Sequence, residues 1–302
     1  MRRSHPAAAL LLAPIICAAE LHVLVVEGLP GEDRYREQFS RQVSSIERGA
    51  NSLTSSERVH VLRTGEATRD AVLAHIESLQ TDVGNDDQLA IFLIGHGSYD
   101  DYEYKFNLAG PDLTGNDLAA ALNNMAAGNQ LVVNTSSASG ATAELLAADD
   151  RILVLATKSG TERHATRFGS YFAAALSDSA ADIDKNEIIT VREAFDFAER
   201  QVGDYFERHN QLATEHPRLH GDRAERVALA RLGGTQPPVV DTGLAELIAE
   251  RDALNADIDA LRLARDDMPL SEYQALLLEK MLELAMLEDA IEAREAELET
   301  ND

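Results

Sequence analysis

The chain has 302 residues, 45% of them apolar, and its 52 acidic and 27 basic side chains give a formal net charge of -25. A surface this acidic repels a polyanion, so the composition excludes a nucleic acid as partner. The single cysteine, Cys17, has no second thiol to pair with, which excludes a disulfide within the chain.

The first 19 residues have the order of a secretory signal. Arg2 and Arg3 precede an apolar stretch at 7–16, and small residues follow up to Ala19. This order predicts cleavage near Ala19 and an exported protein, periplasmic or secreted, that contains no thiol. Two alternatives remain: an unprocessed apolar start, or a lipoprotein anchored to a membrane through Cys17, against which the bulky Ile16 argues.

Short apolar runs then alternate with helical patterns as far as residue 232. This alternation predicts an α/β fold in which a mainly parallel sheet is flanked by helices, with functional residues at the carboxyl ends of the strands. Strands are predicted at 21–26, 59–62, 89–94, 131–134 and 152–156. Helices are predicted at about 33–48, 67–80, 115–126, 141–148, 166–177 and 190–209.

The carboxyl-terminal part has a different pattern. A linker rich in glycine and proline at 233–241 separates the predicted domain 20–232 from a region 242–302 with apolar residues every three or four positions. A break at 266–271, which contains Pro269, divides this region into two helices and predicts a coiled-coil-like helical hairpin. Three packing modes stay open: the apolar stripe closes on itself, on the first domain, or on a second copy or partner helix.

Two predicted strand ends carry residues with catalytic potential. The strand at 89–94 runs into Gly95-His96-Gly97-Ser98, and the strand at 131–134 runs into Thr135-Ser136-Ser137-Ala138-Ser139-Gly140. Over about 21–232 the chain resembles the legumain-type cysteine peptidases and, more distantly, the caspases. The resemblance implies a caspase-like three-layer sandwich, with His96 at the catalytic histidine position and Ser137 at the position of the catalytic cysteine. It also implies an oxyanion hole formed by the amides of Gly97 and Ser137.

Serine at position 137 changes the expected chemistry. A thiol is partly ionised near neutral pH, whereas a serine hydroxyl needs a general base in direct hydrogen-bond contact. We therefore expect an exported peptidase homologue that has lost cysteine-peptidase activity and binds a peptide or protein ligand, without a required cofactor. The alternatives are an active hydrolase that uses Ser137 with His96, and an envelope scaffold that assembles through 242–302.

His96 and the serines that follow the second strand could also have purely structural roles. Between two glycines, His96 could serve only to hydrogen-bond the backbone. Ser137 could fill the position of the missing sulfur, and Ser136, Ser137 or Ser139 could cap the following helix.

A second group of residues follows the pattern of a calcium loop. The ligand positions one, three, five, seven, nine and twelve are occupied by Asp182, Asp184, Asn186, the Ile188 carbonyl, Thr190 and Glu193. Glu187 stands at the sixth position, where glycine normally permits a sharp turn. Alternatively, Thr190 and Glu193 form a capping box and the aspartates make turns without a metal. The histidines at 164, 209, 216 and 220 lack the spacing of a zinc site.

Overall fold

The computed structural model describes residues 20–232 and 242–299, so the predicted signal, the whole predicted linker at 233–241 and the last three residues of the predicted hairpin lie outside the described residues. The first described region is an α/β sandwich, as the sequence predicts. Its strands are β1 Leu21–Glu27, β2 Val59–Leu62, β3 Gln88–Ile94, β4 Gly97–Tyr99, β5 Tyr104–Phe106, β6 Leu113–Thr114, β7 Asn129–Asn134, β8 Arg151–Leu155, β9 Ile188–Thr190, β10 Arg218–His220 and β11 Ala228–Arg231. Its helices are α1 Asp33–Asn51, α2 Arg69–Asp82, α3 Gly115–Leu122, α4 Ala143–Leu146, α5 Phe168–Ala175 and α6 Val191–Arg208.

The central sheet has the order β10-β8-β7-β3-β1-β2, and all neighbours are parallel except β10, which is antiparallel to β8. The five predicted strands are its five parallel strands. The apolar runs of β1, β3, β7 and β8 are buried on both faces, as expected of strands covered by helices on either side, whereas the edge strand β2 is half-buried.

Alternate residues of β1 show the two layers. Val23 and Val25 belong to a core that includes side chains of α1, α5 and α6, among them Phe39 and Phe172. Leu24 and Val26 face a second core with side chains of α2 and α3. The sheet therefore lies between two helical layers, which leaves its carboxyl edge for the loops that carry the candidate site.

Strands of two to four residues at β4, β5, β6, β9, β10 and β11 were not predicted, because so few residues rarely show a period. β4, β5 and β6 form a small antiparallel sheet, and β9 pairs with β11. β4 begins at Gly97, directly after His96, so the small sheet shapes the candidate site.

A buried guanidinium joins the amino-terminal ends of β7 and β8 to two helices. Arg151, which is 4% exposed, donates from Nε to Gln130 Oε1 at 3.0 Å and from Nη2 to Asn123 Oδ1 at 3.1 Å. Its Nη1 donates to the carbonyl oxygen of Leu146 at 2.7 Å. Every described hydrogen-bond partner of Arg151 is thus a neutral oxygen.

The two predicted carboxyl-terminal helices are present: α7 Thr242–Leu263 and α8 Leu270–Glu299. They pack on each other through a seam in which Ile258, Leu261 and Ile291 are buried. The pair also contacts the first region, because Arg231 forms an ion pair with the buried Asp259 and Arg226 pairs with Asp267 at 2.7 Å. None of the described helices has both the length and the apolar composition that crossing a membrane requires.

Candidate active site and acidic loop

Strand register brings the two predicted site loops to the same level of the sheet. β3 and β7 are parallel neighbours with Leu93 opposite Asn134, and the Thr135 amide donates to the carbonyl oxygen of Leu93 at 3.1 Å. His96 follows β3 by two residues and Ser137 follows β7 by three. The carboxyl edge of the sheet therefore places the two residues on adjacent loops.

The imidazole of His96 lies half-buried against α1. Its Nε2 is 3.3 Å from the carbonyl oxygen of Pro30, and because a carbonyl oxygen only accepts, Nε2 is the protonated nitrogen. The ring contacts Tyr35 and Phe39 edge-on, with centroid distances of 4.5 and 5.1 Å. Burial lowers the pKa of His96 below its usual value, so the neutral ring is favoured at neutral pH.

Ser137 is 5% exposed, and its hydroxyl donates to the carbonyl oxygen of Gly97 at 3.0 Å. Within the described part of the chain, no hydrogen bond joins Ser137 to His96. The hydroxyl proton is thus directed at a backbone oxygen and not at a base.

The neighbouring serines are held by different partners. The Ser136 hydroxyl donates to Asn134 Oδ1 at 2.8 Å and lies 2.6 Å from the Tyr104 hydroxyl, and the Thr157 amide donates to Ser139 Oγ at 3.1 Å. Burial raises the pKa of Tyr104 to about 12, which keeps this phenol neutral. None of the three serines caps the following 3-10 helix, since its first flanking residue is Ala138 and no side chain caps it. The alternative interpretation of these serines as helix caps is therefore wrong.

Two backbone amides near Ser137 remain available to a ligand. No hydrogen bond from the Ser137 amide to another described residue occurs. The Asn107 amide donates to the His96 carbonyl oxygen at 3.0 Å, which makes Gly97 and Phe106 a non-hydrogen-bonded pair of the antiparallel ladder. The Gly97 amide consequently points away from β5.

Close packing requires glycine at two positions of these loops. A Cβ atom at Gly97 would lie 2.5 Å from Ser136 Oγ and 2.6 Å from the Ser137 carbonyl oxygen. At Gly140 it would lie 2.2 Å from the Ser159 amide nitrogen and 2.6 Å from the Thr157 carbonyl oxygen. The first glycine lets β4 approach the Ser137 loop, and the second lets that loop approach the segment after β8.

A small cleft opens beside the imidazole. It is lined by Tyr35, Gln38, Phe39, Gln42, Gly95, His96, Thr135, Ala165 and Thr166. No sequence pattern marks α1 as a wall of this cleft, because its aromatic residues appear only as part of an ordinary amphipathic helix. The family resemblance pointed to His96 and Ser137. The α1 residues that line the cleft become apparent only from the fold.

The acidic loop brings three of its predicted calcium ligands together. Carboxylate oxygens of Asp182, Asp184 and Glu193 lie within 4.8 Å of one another. Burial and the charges of Glu193 and Asp182 raise the pKa of Asp184. The other predicted ligands lie in the same loop: Asn186 donates to Asp182 and Asp184, and Ile188 and Thr190 are the ends of β9.

Hydrogen bonds within the chain also occupy this loop. Thr190 and Glu193 form the predicted capping box of α6, with both reciprocal bonds present. Asp182 accepts the amides of Asn186 and Glu187, both at 3.1 Å. The turn and cap interpretation therefore accounts for these contacts, and calcium binding stays a prediction.

We expect calcium to raise the midpoint of thermal unfolding of the natural chain, because a divalent cation would neutralise three carboxylates that repel one another. The shift should be absent from Asp184→Asn, which keeps the shape of the side chain and removes one charged ligand. The measurement is differential scanning calorimetry in calcium and in chelator, with magnesium as control. Equal midpoints in calcium and chelator for the natural chain would contradict the prediction.

Glu187 adopts the conformation that its loop position normally reserves for glycine. Its φ is +67°, in the left-handed region, and its side chain is exposed. We expect Glu187→Gly to raise the free energy of unfolding by about 1 kcal/mol, since glycine has no Cβ that opposes this φ. Glu187→Ala is the control for loss of charge alone, and urea unfolding measures both. A larger gain from alanine than from glycine would contradict a backbone cause.

Comparison with known proteins agrees with the resemblance seen in the motifs. The family model of the peptidase C13 family matches residues 37–225, which is more than half of the chain. The chain belongs to the peptidase C13 family. Among solved structures, this C13 protein is similar to the crystal structure of protein GSU0716 from Geobacter sulfurreducens, with 14% identity and a TM-score of 0.46. That match covers 67% of this chain and 94% of the other, and a search of curated proteins finds no match.

Proposed function

We propose that this C13 protein has lost cysteine-peptidase activity and uses its former active-site groove to bind an extended peptide. The hydrogen bond from the Ser137 hydroxyl to the Gly97 carbonyl oxygen carries the proposal. A hydroxyl that attacks a peptide must give its proton to a base as it does so. Here the Ser137 hydroxyl donates its proton in a hydrogen bond to a backbone carbonyl oxygen. The Nε2 of His96 is hydrogen-bonded to the carbonyl oxygen of Pro30.

Features that favour peptide binding surround the same position. The Gly97 and Ser137 amides have no hydrogen-bond acceptor among the described residues and could donate to a ligand carbonyl oxygen, and β4 is an edge strand of its small sheet. An extended peptide supplies carbonyl oxygens at regular intervals along an edge strand. The cleft beside His96 would receive one side chain of that peptide.

The test is a titration of the folded protein with a library of extended, fluorescently labelled peptides, in which fluorescence anisotropy measures binding. Gln38→Trp fills the cleft beside His96 and should weaken binding at least about tenfold, or 1.4 kcal/mol. Gln80→Trp is the matched control, since Gln80 is an exposed residue of α2 on the other helical layer. Equal binding by both variants, or no binding by the natural chain, would contradict peptide binding in the cleft beside His96. Gly97 is unsuitable for this test because its Cβ would displace the Ser137 loop.

An active serine hydrolase is the rival function, and the available amides of Gly97 and Ser137 favour it because they could hold an oxyanion. This rival predicts stoichiometric labelling of Ser137 by a fluorophosphonate. Our proposal predicts no labelling at mildly alkaline pH, with Ser137→Ala as the blank. Labelling of the natural chain together with peptide turnover would overturn the proposal.

Export belongs to the same proposal. It is supported by the basic, apolar and small-residue order of residues 1–19, which lie outside the described residues. The mass of the protein recovered from a secreting bacterial host tests it, since cleavage near Ala19 removes Cys17 and lipidation retains it. An unshortened chain without lipid would contradict export by this signal.

A further inference from the structure

Helix α8 is apolar on two sides. On its inner side, Ile291 is buried and Leu277, Leu284 and Leu287 are half-buried, and this side packs on α7. Lys280 strengthens the contact between the two helices through its 2.7 Å ion pair with Asp257. The inner side is thus the seam of the hairpin.

A second stripe lies roughly opposite the seam. Leu278, Met281, Leu282 and Met286 are 63%, 43%, 59% and 73% exposed, and we call these four residues the outer face of α8. Their spacing of three and four residues places them on one side of an α-helix. A helix that is apolar on opposite sides is normally buried on both, so a contiguous exposed stripe marks an interaction surface.

The border of the outer face is acidic. Glu272, Glu279 and Glu283 follow the helical spacing along one edge of the stripe, and Glu288 lies at the other edge beside Met281. All four are exposed. Lys280 is the one basic residue in the sequence from 270 to 293, and its ammonium is engaged with Asp257. The potential around the outer face is therefore negative.

We propose that the outer face of α8 binds a cationic amphipathic helix of a partner protein. Apolar residues of that helix would cover the leucines and methionines, and its lysines or arginines would lie against the glutamates. Methionine suits this use because its flexible side chain adapts to different apolar surfaces. A second copy of α8 would bring one acidic border against another, and an anionic lipid surface would be repelled in the same way.

The probe is a synthetic peptide of about 18 residues made of leucine and lysine, with leucines at helical spacing on one side. Calorimetric titration into the full chain should give one-to-one binding that weakens as salt rises. The double variant Leu278→Gln and Leu282→Gln should weaken binding at least about tenfold with unchanged helix content by circular dichroism. Leu212→Gln is the matched control, because Leu212 is a 91% exposed leucine of the first region. A scrambled peptide of the same composition controls for charge alone.

Several outcomes would overturn the proposal. Equal binding of the scrambled peptide would reduce the interaction to charge attraction. A dimer by light scattering that Leu282→Gln dissociates would make the occupant a second copy. Binding to vesicles of anionic lipid that the same variant abolishes would make it a membrane. Absence of peptide binding by a folded natural chain would leave the outer face without the proposed partner.

Discussion

Ser137→Cys is expected to raise peptidase activity well above that of the natural chain, which we propose has lost it. A thiol at this position needs less help from His96 than a hydroxyl does, because it is partly ionised near neutral pH and is intrinsically more nucleophilic. The amides of Gly97 and Ser137 are available to stabilise an oxyanion, and both site loops keep the glycines on which their approach depends. We expect an increase on the order of 10²-fold or more in kcat/KM for a library of fluorogenic peptides.

The controls for this gain use the same background. Ser137→Cys combined with His96→Ala should lose most of the new activity, since a thiol without the imidazole has no group to protonate the leaving amine. In a chain lacking residues 1–19, the introduced cysteine is the only thiol, so alkylation by iodoacetamide identifies it without ambiguity. Peptide turnover by the natural chain at the rate of the cysteine variant would falsify the oxygen-for-sulfur argument.

The second large effect is structural. We expect Gly140→Ala to lower the free energy of unfolding by about 3 kcal/mol, because the added methyl group would meet backbone atoms that cannot rotate away. The three nearest atoms are the Ser159 amide nitrogen, the Lys158 carbonyl carbon and the Thr157 carbonyl oxygen, at 2.2 to 2.6 Å. Equilibrium urea unfolding measures the loss.

Gly203→Ala is the matched control for that measurement. Gly203 lies inside α6, and a Cβ atom there would meet nothing within 4 Å. Alanine should therefore raise the free energy of unfolding by about 0.5 to 1 kcal/mol through helix propensity. Equal effects of the two substitutions would show that the Ser137 loop yields to the added atom.

The sequence predicted the central sheet well because its signals are long and local. Five apolar runs became five parallel strands, and the capping box of Thr190 and Glu193 fixed the start of α6 to the residue. α3 ends at Leu122, four residues before its predicted end, since no glycine or proline marked the boundary. The short strands β4, β5 and β6 had no period to detect.

The candidate site shows a different limit. The motifs predicted that His96 and Ser137 each follow a strand, and the structure adds that these strands, β3 and β7, are parallel neighbours. Which atoms each side chain contacts depends on residues distant in sequence, such as Pro30 for His96 and Tyr104 for Ser136. Hydroxyl groups can cap a helix, donate to carbonyls or join networks with similar free energies, so the sequence could not decide whether these serines cap the following helix.

Acid should affect two contacts of the first region unequally. The junction built on Arg151 contains no carboxylate, and a guanidinium keeps its proton in acid, so falling pH removes none of its bonds. The link between α2 and α3 is different, because bonding to Arg69 lowers the pKa of Asp117 to about 2. Its stabilisation is present above the usual range of an aspartate and fades as pH falls towards 2. Protonation of Asp117 would thus loosen the contact between these helices, whereas the hydrogen bonds that hold the starts of β7 and β8 would remain.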